Sequence, residues 1–364
     1  MGIQVTVVGV GLIGGSLCKA FKRVMPEVQL TGVDCSEVID YALKEAIIDT
    51  GYLSEQLETV CEKADFIFIA TPPKIALKLL PIIAKNCKPK CIVTDVCSIK
   101  NDLMQCAREN FADSSGVFIG GHPMAGTEKP GIESSDPYLF ENAIYVLTPN
   151  GFESQKAVKK LAGLIEKTGA YILLLSADEH DKIAAGVSHL PQMLALTLML
   201  YIAEKNNEND IYLKMAAGGF RDMTRIASSP FAIWQDICDG NLSKILAEID
   251  GFSAALANTR RLLVEGALET SFAESAHSRL AIPKDSRGFM TPNFDLSVDV
   301  QDHSGVIAKI ANVLADAQIN IRDIEVLKVR EDEGGTLRLS FESEKARKQA
   351  KSILQKEGHV CHNR

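Results

Sequence analysis

Two stretches of this 364-residue sequence combine residue types and spacing suited to chemistry. The first is VTVVGVGLIGGSLCKAF, where Gly9, Gly11 and Gly14 form GxGxxG between a strand-like and a helix-like run. Gly9 permits a tight turn, Gly11 lets backbone approach a pyrophosphate, and Gly14 lets the helix pack on the strand. The helix start, with Leu12 and Ile13, offers free N–H groups and a positive dipole end to phosphates. Asp34 closes the next strand, 20 residues after Gly14. A carboxylate there accepts hydrogen bonds from ribose hydroxyls and repels a 2′-phosphate, so the expected cofactor is NAD rather than NADP. Thr71, at the end of a further strand, is expected to line the same site.

The second stretch is GGHPMAGTE, residues 120–128. Ligands of open α/β sheets bind beyond the carboxyl ends of the strands. His122 is expected in such a loop, and CIVTDVCSIKND is expected to leave Ser98 and Lys100 exposed past another strand end. A histidine beside a nicotinamide cofactor suits removal of a hydroxyl proton as hydride leaves the same carbon. Ser98 would hold the imidazole or the substrate hydroxyl in line. A lone loop histidine is usually only solvated; its place at a strand end beside a cofactor motif favours chemistry here.

These residues need a scaffold. IQVTVVGV, QLTGVD, DFIFIAT, CIVTDV, GVFIGG and AIYVLTP read as strands with helical patterns between most of them, which implies a mainly parallel, doubly wound sheet over residues 1–175. From 176 to 280 the strands stop. SADEHDKIAAGVSHL opens with Ser176 as cap and Glu179 three residues on, and long helical patterns follow. Residues 281–293, rich in Pro, Gly and charge, read as a linker. Residues 294–364 run strand, helix, two strands, helix and a short strand, a ferredoxin-like βαββαβ unit. The expected class is α/β: a Rossmann-type domain, a helical domain and a ferredoxin-like domain.

Apolar residues make up 46% of the chain, charged residues 24%, and the net charge is −8. A nucleic-acid partner is not expected at that charge. The nine cysteines include no CxxC pair, so no metal site is expected, and reduced thiols suit a cytoplasmic protein. MGIQVTVVGVGLIGGS lacks a basic start and a cleavage site, so no signal peptide is expected. The most membrane-like stretch, residues 183–203, contains Ser188, His189, Pro191 and Gln192. It reads as a buried helix, in a dimer core, rather than a membrane span.

GxGLIGGS, ATPP, DVCSIK, GGHPMAGTE, SHLP and GGFRDMTRIASSPFAIW follow one another in an order that resembles the prephenate dehydrogenase family, across essentially the whole chain. The resemblance implies a dinucleotide-binding domain, a helical dimerisation domain and a C-terminal ACT domain, a regulatory module of amino-acid enzymes. It implies oxidative decarboxylation of prephenate with NAD, in tyrosine biosynthesis, by a homodimer. It makes His122 the base for the substrate's 4-hydroxyl, Ser98 a contact of the same hydroxyl, and Arg225 the binder of a substrate carboxylate. Glu128 matches a polar residue at the site mouth, and Thr127, Lys129 and Ser188 match the pocket lining. Arg221 and Asp222 match positions near the dimer interface; Trp234 falls in the same region and would serve equally as core. Many family members read SHLPH where this chain has Gln192. Glutamine hydrogen-bonds but carries no charge, which leaves arogenate as an alternative substrate.

DHSGVIAKIANVLADAQINI fits the ACT pattern, which implies tyrosine as effector, with Asp302, His303, Gly305, Asn320 and Ile321 as candidate contacts. The alternatives are a tail that only dimerises, a hydroxyacid dehydrogenase of similar plan, and a non-catalytic NAD and amino-acid sensor. No mutase-like helix precedes the glycine motif, so a bifunctional mutase–dehydrogenase is not expected.

Overall fold

The structure is a computed structural model, described over residues 2–126, 129–149, 151, 155–281, 294–301, 304–330 and 334–363. It divides into two compact units, Met1–Gly266 and Ala267–Arg364.

The first unit opens with β1 (Gln4–Val8), α1 (Leu12–Val24), β2 (Gln29–Asp34), α2 (Ser36–Lys44), β3 (Thr50–Leu53), α3 (Leu57–Cys61), β4 (Phe66–Ile69) and α4 (Pro73–Asn86). It continues with β5 (Ile92–Asp95), α5 (Asn101–Phe111), β6 (Val117–Pro123), β7 (Ile144–Thr148), α6 (Gln155–Glu166) and β8 (Tyr171–Leu174). These strands form one sheet in the order β3-β2-β1-β4-β5-β6-β7-β8. All neighbours are parallel except β6 and β7. In β4, Phe66 and Phe68 enter the core on one face, and Ile67 and Ile69 enter the core on the other. A strand buried on both sides reads as a continuous apolar run, as FIFI does.

The sheet corrects one expectation. His122 lies within β6, not in a loop beyond it. The first half of β6 pairs with β5, from Val117 to Ile119; the second half, Gly120 to Pro123, pairs antiparallel with β7, His122 opposite Val146. The glycines make this switch possible. A Cβ on Gly120 would sit 2.3 Å from Thr148 Oγ1, and one on Gly121 2.5 Å from the Asp95 carbonyl oxygen.

Beyond β8 the unit is helical: α7 (Ala177–Ala184), α8 (Leu190–Glu208), α9 (Ile211–Lys214), α10 (Gly218–Thr224), α11 (Phe231–Gly240) and α12 (Leu242–Glu265). Ser176 caps α7 as expected: its Oγ accepts from Glu179 N, and Glu179 Oε2 accepts from Ser176 N. Between α7 and α8 the helix widens into a π-turn, Ala185–His189, in which Leu190 N–H donates to Ala185 O. Pro191, just after it, has no N–H and crowds the preceding turn, a physical reason for the widening. The run Ala177–Glu208 is long and apolar enough to cross a membrane by length and composition. It nonetheless buries His180, Asp181, His189 and Gln192.

The second unit contains α13 (Glu269–Ala281), β9 (Phe294–Val300), α14 (Val306–Asp316), β10 (Asp323–Arg330), β11 (Gly334–Phe341), α15 (Glu344–Lys356) and β12 (Val360–Asn363). Its antiparallel sheet, ordered β10-β11-β9-β12, packs Leu296, Val298, Leu337, Leu339 and Phe341 against Ile310, Leu314, Ala350 and Leu354 of α14 and α15. The expected βαββαβ order is present.

Candidate active site

The glycine turn forms one cavity. Gly9, with φ 90°, would place a Cβ 2.6 Å from the Ala70 carbonyl oxygen, and Gly14 would place one 1.9 Å from the Gly9 carbonyl oxygen. Neither position admits a side chain without moving backbone. Gly11 differs: a Cβ there meets no protein atom within 4 Å. Its emptiness faces a cavity of about 400 Å³ lined by Gly9, Gly11, Asp34, Ala70, Thr71 and Pro72, among others. Asp34 Oδ2 accepts from Val10 N at 2.6 Å, and Oδ1 from Cys35 N at 2.8 Å. A carboxylate has about four acceptor sites, so Asp34 braces the turn and keeps capacity for hydroxyls. Thr71 Oγ1 is buried without a hydrogen-bond partner among the described residues. A cradle without Cβ atoms, a spare carboxylate and an unpartnered hydroxyl fit a dinucleotide. Leu12 and Ile13 open α1 immediately below.

A second cavity, about 350 Å³, is lined by Ser98, His122, Pro123, Met124, Ala125, Gly126, Ser188, His189 and Trp234, with Ile233 and Ile237. Its walls come from β6, the segment after β5, the π-turn and α11. Cys97 Sγ donates to Thr71 O at 3.5 Å, so the segment carrying Ser98 abuts the wall of the first cavity. Lys74, at the start of α4, pairs with Asp236 and Asp239 of α11 and ties the two walls together again.

His122 is buried, and its Nδ1 lies 2.8 Å from His180 Nε2. His180 Nδ1 lies 2.8 Å from Asp181 Oδ1. Asp181 also accepts from Lys100 N at 2.7 Å and Asn101 N at 2.9 Å. Burial pushes the Asp181 carboxyl up, but the bonds from His180 and the two backbone N–H groups outweigh it and hold it below its usual value. An ionised Asp181 accepts only. With one proton on each ring, His180 Nδ1–H must donate to Asp181, so His180 Nε2 accepts from His122 Nδ1–H. His122 Nε2 is left with a bare lone pair. Burial, with His180, Lys100 and His189 nearby, holds the His122 pKa well below the ordinary imidazole value. The ring is neutral, with Nε2 available as a hydrogen-bond acceptor.

Lys100, expected to be exposed, is fully buried and bonded to Asp95. Asp95 in turn accepts from Cys97 N and Gly121 N, 2.9 and 3.0 Å. After Ser98 the Lys100 side chain turns back to Asp95 at the end of β5 instead of out to solvent. Lys100 therefore supports the strand under His122 from one end and, through its backbone N–H, Asp181 from the other.

Of the other sequence candidates, Ser98 and Ser188 join His122 in this cavity. Gln192 is buried, and its amide N donates to Ile226 O at 3.0 Å, next to Arg225. Arg225 starts the short 3₁₀ turn Arg225–Ser228 and is exposed, outside the cavity lining. Gly305, with φ 90°, precedes α14; Asn320 is exposed, and Ile321 packs against the core of the second unit. Thr127, Glu128, Asp302 and His303 lie outside the described residues. Sequence reasoning missed His180, Asp181 and Asn241. The available signal was a His-Asp pair one turn into a capped helix, where a solvated face would have been the ordinary reading.

Residues 17–174 match the family model described as prephenate dehydrogenase, nucleotide-binding domain, and residues 176–276 match its dimerization domain. The chain belongs to the prephenate dehydrogenase family. Residues 294–359 match the ACT domain model. The chain is 36% identical to the Bacillus subtilis prephenate dehydrogenase, over 95% of this chain and 94% of that one. It is also 36% identical to the Lactococcus lactis enzyme, over 97% and 98%. Among solved structures it resembles Aquifex aeolicus prephenate dehydrogenase in complex with hydroxyphenyl propionate and NAD+. That match has 31% identity and a TM-score of 0.71, and covers 78% of this chain and 99% of that one. A Synechocystis arogenate dehydrogenase matches at 28% identity and TM-score 0.67, over 76% and 99%. The chain is an oxidoreductase of this family, with a Rossmann-type nucleotide-binding domain, a helical dimerisation domain and an ACT domain.

Proposed function

We propose that the chain oxidises and decarboxylates prephenate to 4-hydroxyphenylpyruvate with NAD. The supporting observation is the bare Nε2 of His122, left free in the cavity by the bonds through His180 to Asp181. NAD, when bound, accepts the hydride from C4. His122 Nε2 accepts the hydrogen bond of the 4-hydroxyl and draws its proton as C4 loses hydride; in the product the proton is back on the phenol oxygen. The electron pair of the bond to the ring carboxylate fills the ring as CO2 leaves. Asp181, two hydrogen bonds away, stabilises positive charge on the histidine pair. The substrate carboxylates, arriving near His122, raise its basicity where it is needed. Ser98 and Ser188 orient the substrate; Gln192 holds the turn from which Arg225 binds a carboxylate. Gly9, Gly11, Gly14, Asp34 and Thr71 hold the dinucleotide.

The supporting measurement is NADH formation with prephenate and, separately, arogenate. Prephenate is expected to turn over much faster. His122→Asn should keep NAD binding and lose roughly 10²–10⁴-fold in kcat, the contribution of a general base. Turnover of neither substrate would end the reading; preference for arogenate would make Gln192 the first residue to restore to histidine. Exposed apolar residues on the helices, among them Leu200, Tyr201, Phe231, Leu256 and Leu263, are the surface we assign to a homodimer. We assign tyrosine feedback to the ACT domain, in the cytoplasm: removing residues 290–364 should abolish inhibition by tyrosine, and inhibition persisting unchanged would move that site to the catalytic cavity.

A further inference from the structure

The catalytic cavity holds a second buried histidine that the reaction above does not use. His189 is 1% exposed and ends the π-turn. In an ideal α-helix of 3.6 residues per turn, residues 180 and 189 stand two and a half turns apart, on opposite faces. The extra residue in the π-turn sets His189 back to roughly 80° from His180. That rotation lets both rings serve one site: His180 beneath His122, and His189 in the cavity wall itself.

The protonation of His189 follows from Asn241. Asn241 Nδ2 lies 2.7 Å from the carbonyl oxygen of Asp181, which only accepts, so the amide nitrogen is fixed there. The same NH2 lies 3.3 Å from His189 Nδ1. A donor against Nδ1 makes Nδ1 the unprotonated nitrogen, and the single proton of a neutral imidazole then sits on Nε2. Burial, against the opposing pull of Asp181, lowers the ring's pKa to about 4, so it stays neutral at working pH. Trp234 packs perpendicular to it, centroids 5.9 Å apart, in the same cavity wall.

We propose that His189 donates a hydrogen bond from Nε2–H to an oxygen of the substrate, as the neutral donor counterpart of the acceptor His122. The proposal rests on the dehydrogenase reading above. The substrate brings a hydroxyl and two carboxylates, all acceptors. A neutral donor binds such an oxygen without a charge that would compete with His122 for the proton. One cavity thus presents two imidazoles in opposite tautomers, each set by a different partner: His180 for His122, Asn241 for His189.

Two near-isosteric variants separate this role from simple packing. His189→Gln keeps an N–H donor near the Nε2 position and gives up the acceptor for Asn241. His189→Asn keeps an acceptor near the Nδ1 position and gives up the donor. With prephenate, His189→Asn should lose roughly 10- to 100-fold in kcat/KM, the cost of an unmade bond to a charged or polarised oxygen, while His189→Gln stays within about tenfold and better than Asn. Both should bind NAD as the wild type does. Equal losses, or an Asn variant better than Gln, would overturn the donor role. The ¹⁵N spectrum of the labelled wild-type protein needs no variant. It should show His189 protonated on Nε2 alone; a proton on Nδ1 would overturn the proposal. A wild type that turns over neither prephenate nor arogenate removes the underlying reading; an active wild type with equal variants removes this proposal alone.

Discussion

The two cavities are built by opposite means. The nucleotide cavity is shaped by backbone and by missing side chains: Gly9, Gly11 and Gly14, braced by one carboxylate. The second cavity presents two side chains, His122 and His189, whose protons are fixed from behind by side chains of distant segments, His180, Asp181 and Asn241. The nucleotide cavity is sensitive to added volume and indifferent to most side-chain chemistry. The other tolerates similar volume and is sensitive to the position of a single proton.

The sharpest test of that contrast is Asp181→Asn, a change of almost no volume. An amide can donate toward His180 and reverse the protons along the pair, leaving His122 without its lone pair. We expect kcat to fall by roughly 10²–10⁴-fold with NAD affinity unchanged, measured by steady-state kinetics and fluorescence titration. A Gly11→Ala variant tests the other side. The new methyl meets no protein atom within 4 Å, so the melting temperature should hold while NAD affinity drops by about tenfold or more, a shift of ~1.4 kcal/mol. An unchanged affinity would mean that the cofactor does not approach Gly11.

The smallest effect is on stability. His189 titrates at about 4 in the folded protein against 6.5 for the free ring, and His122 is shifted in the same direction. Between those values the unfolded chain binds protons that the native protein refuses. Stability from this source is therefore full above about pH 6.5 and declines as pH falls toward 4, by up to about 1.4 kcal/mol per pH unit for each histidine. Asp181, held below 3.8, acts only at still lower pH. Melting temperatures measured from pH 7.5 to 5 should fall, and His189→Gln should fall less.

The contrast also explains what could be read in advance. The glycine turn and Asp34 lie within 26 residues and on adjoining elements, so spacing alone reveals them. His122 and His180 are 58 residues apart, and no local pattern links them. Lys100 looked solvated because lysines usually are; only its pairing with Asp95 accounts for its burial. β3 and β8 escaped notice because each is a four-residue edge strand with largely exposed side chains, which lack the apolar run of a central strand. Ser176 and Glu179 were legible as a cap because capping is a local contact.

The placement of His122 within β6 carries a mechanical consequence. Its strand is paired on one side to β5 and, through the very residue that bears the imidazole, to β7. A base in a loop can swing toward its target for little energy. A base riveted into a sheet cannot move without breaking ladder bonds on β7, so its compliance is that of the sheet. With His122 as the base proposed above, the closing distances of the reaction are covered by substrate and cofactor, and this histidine is the fixed anvil against which they are brought.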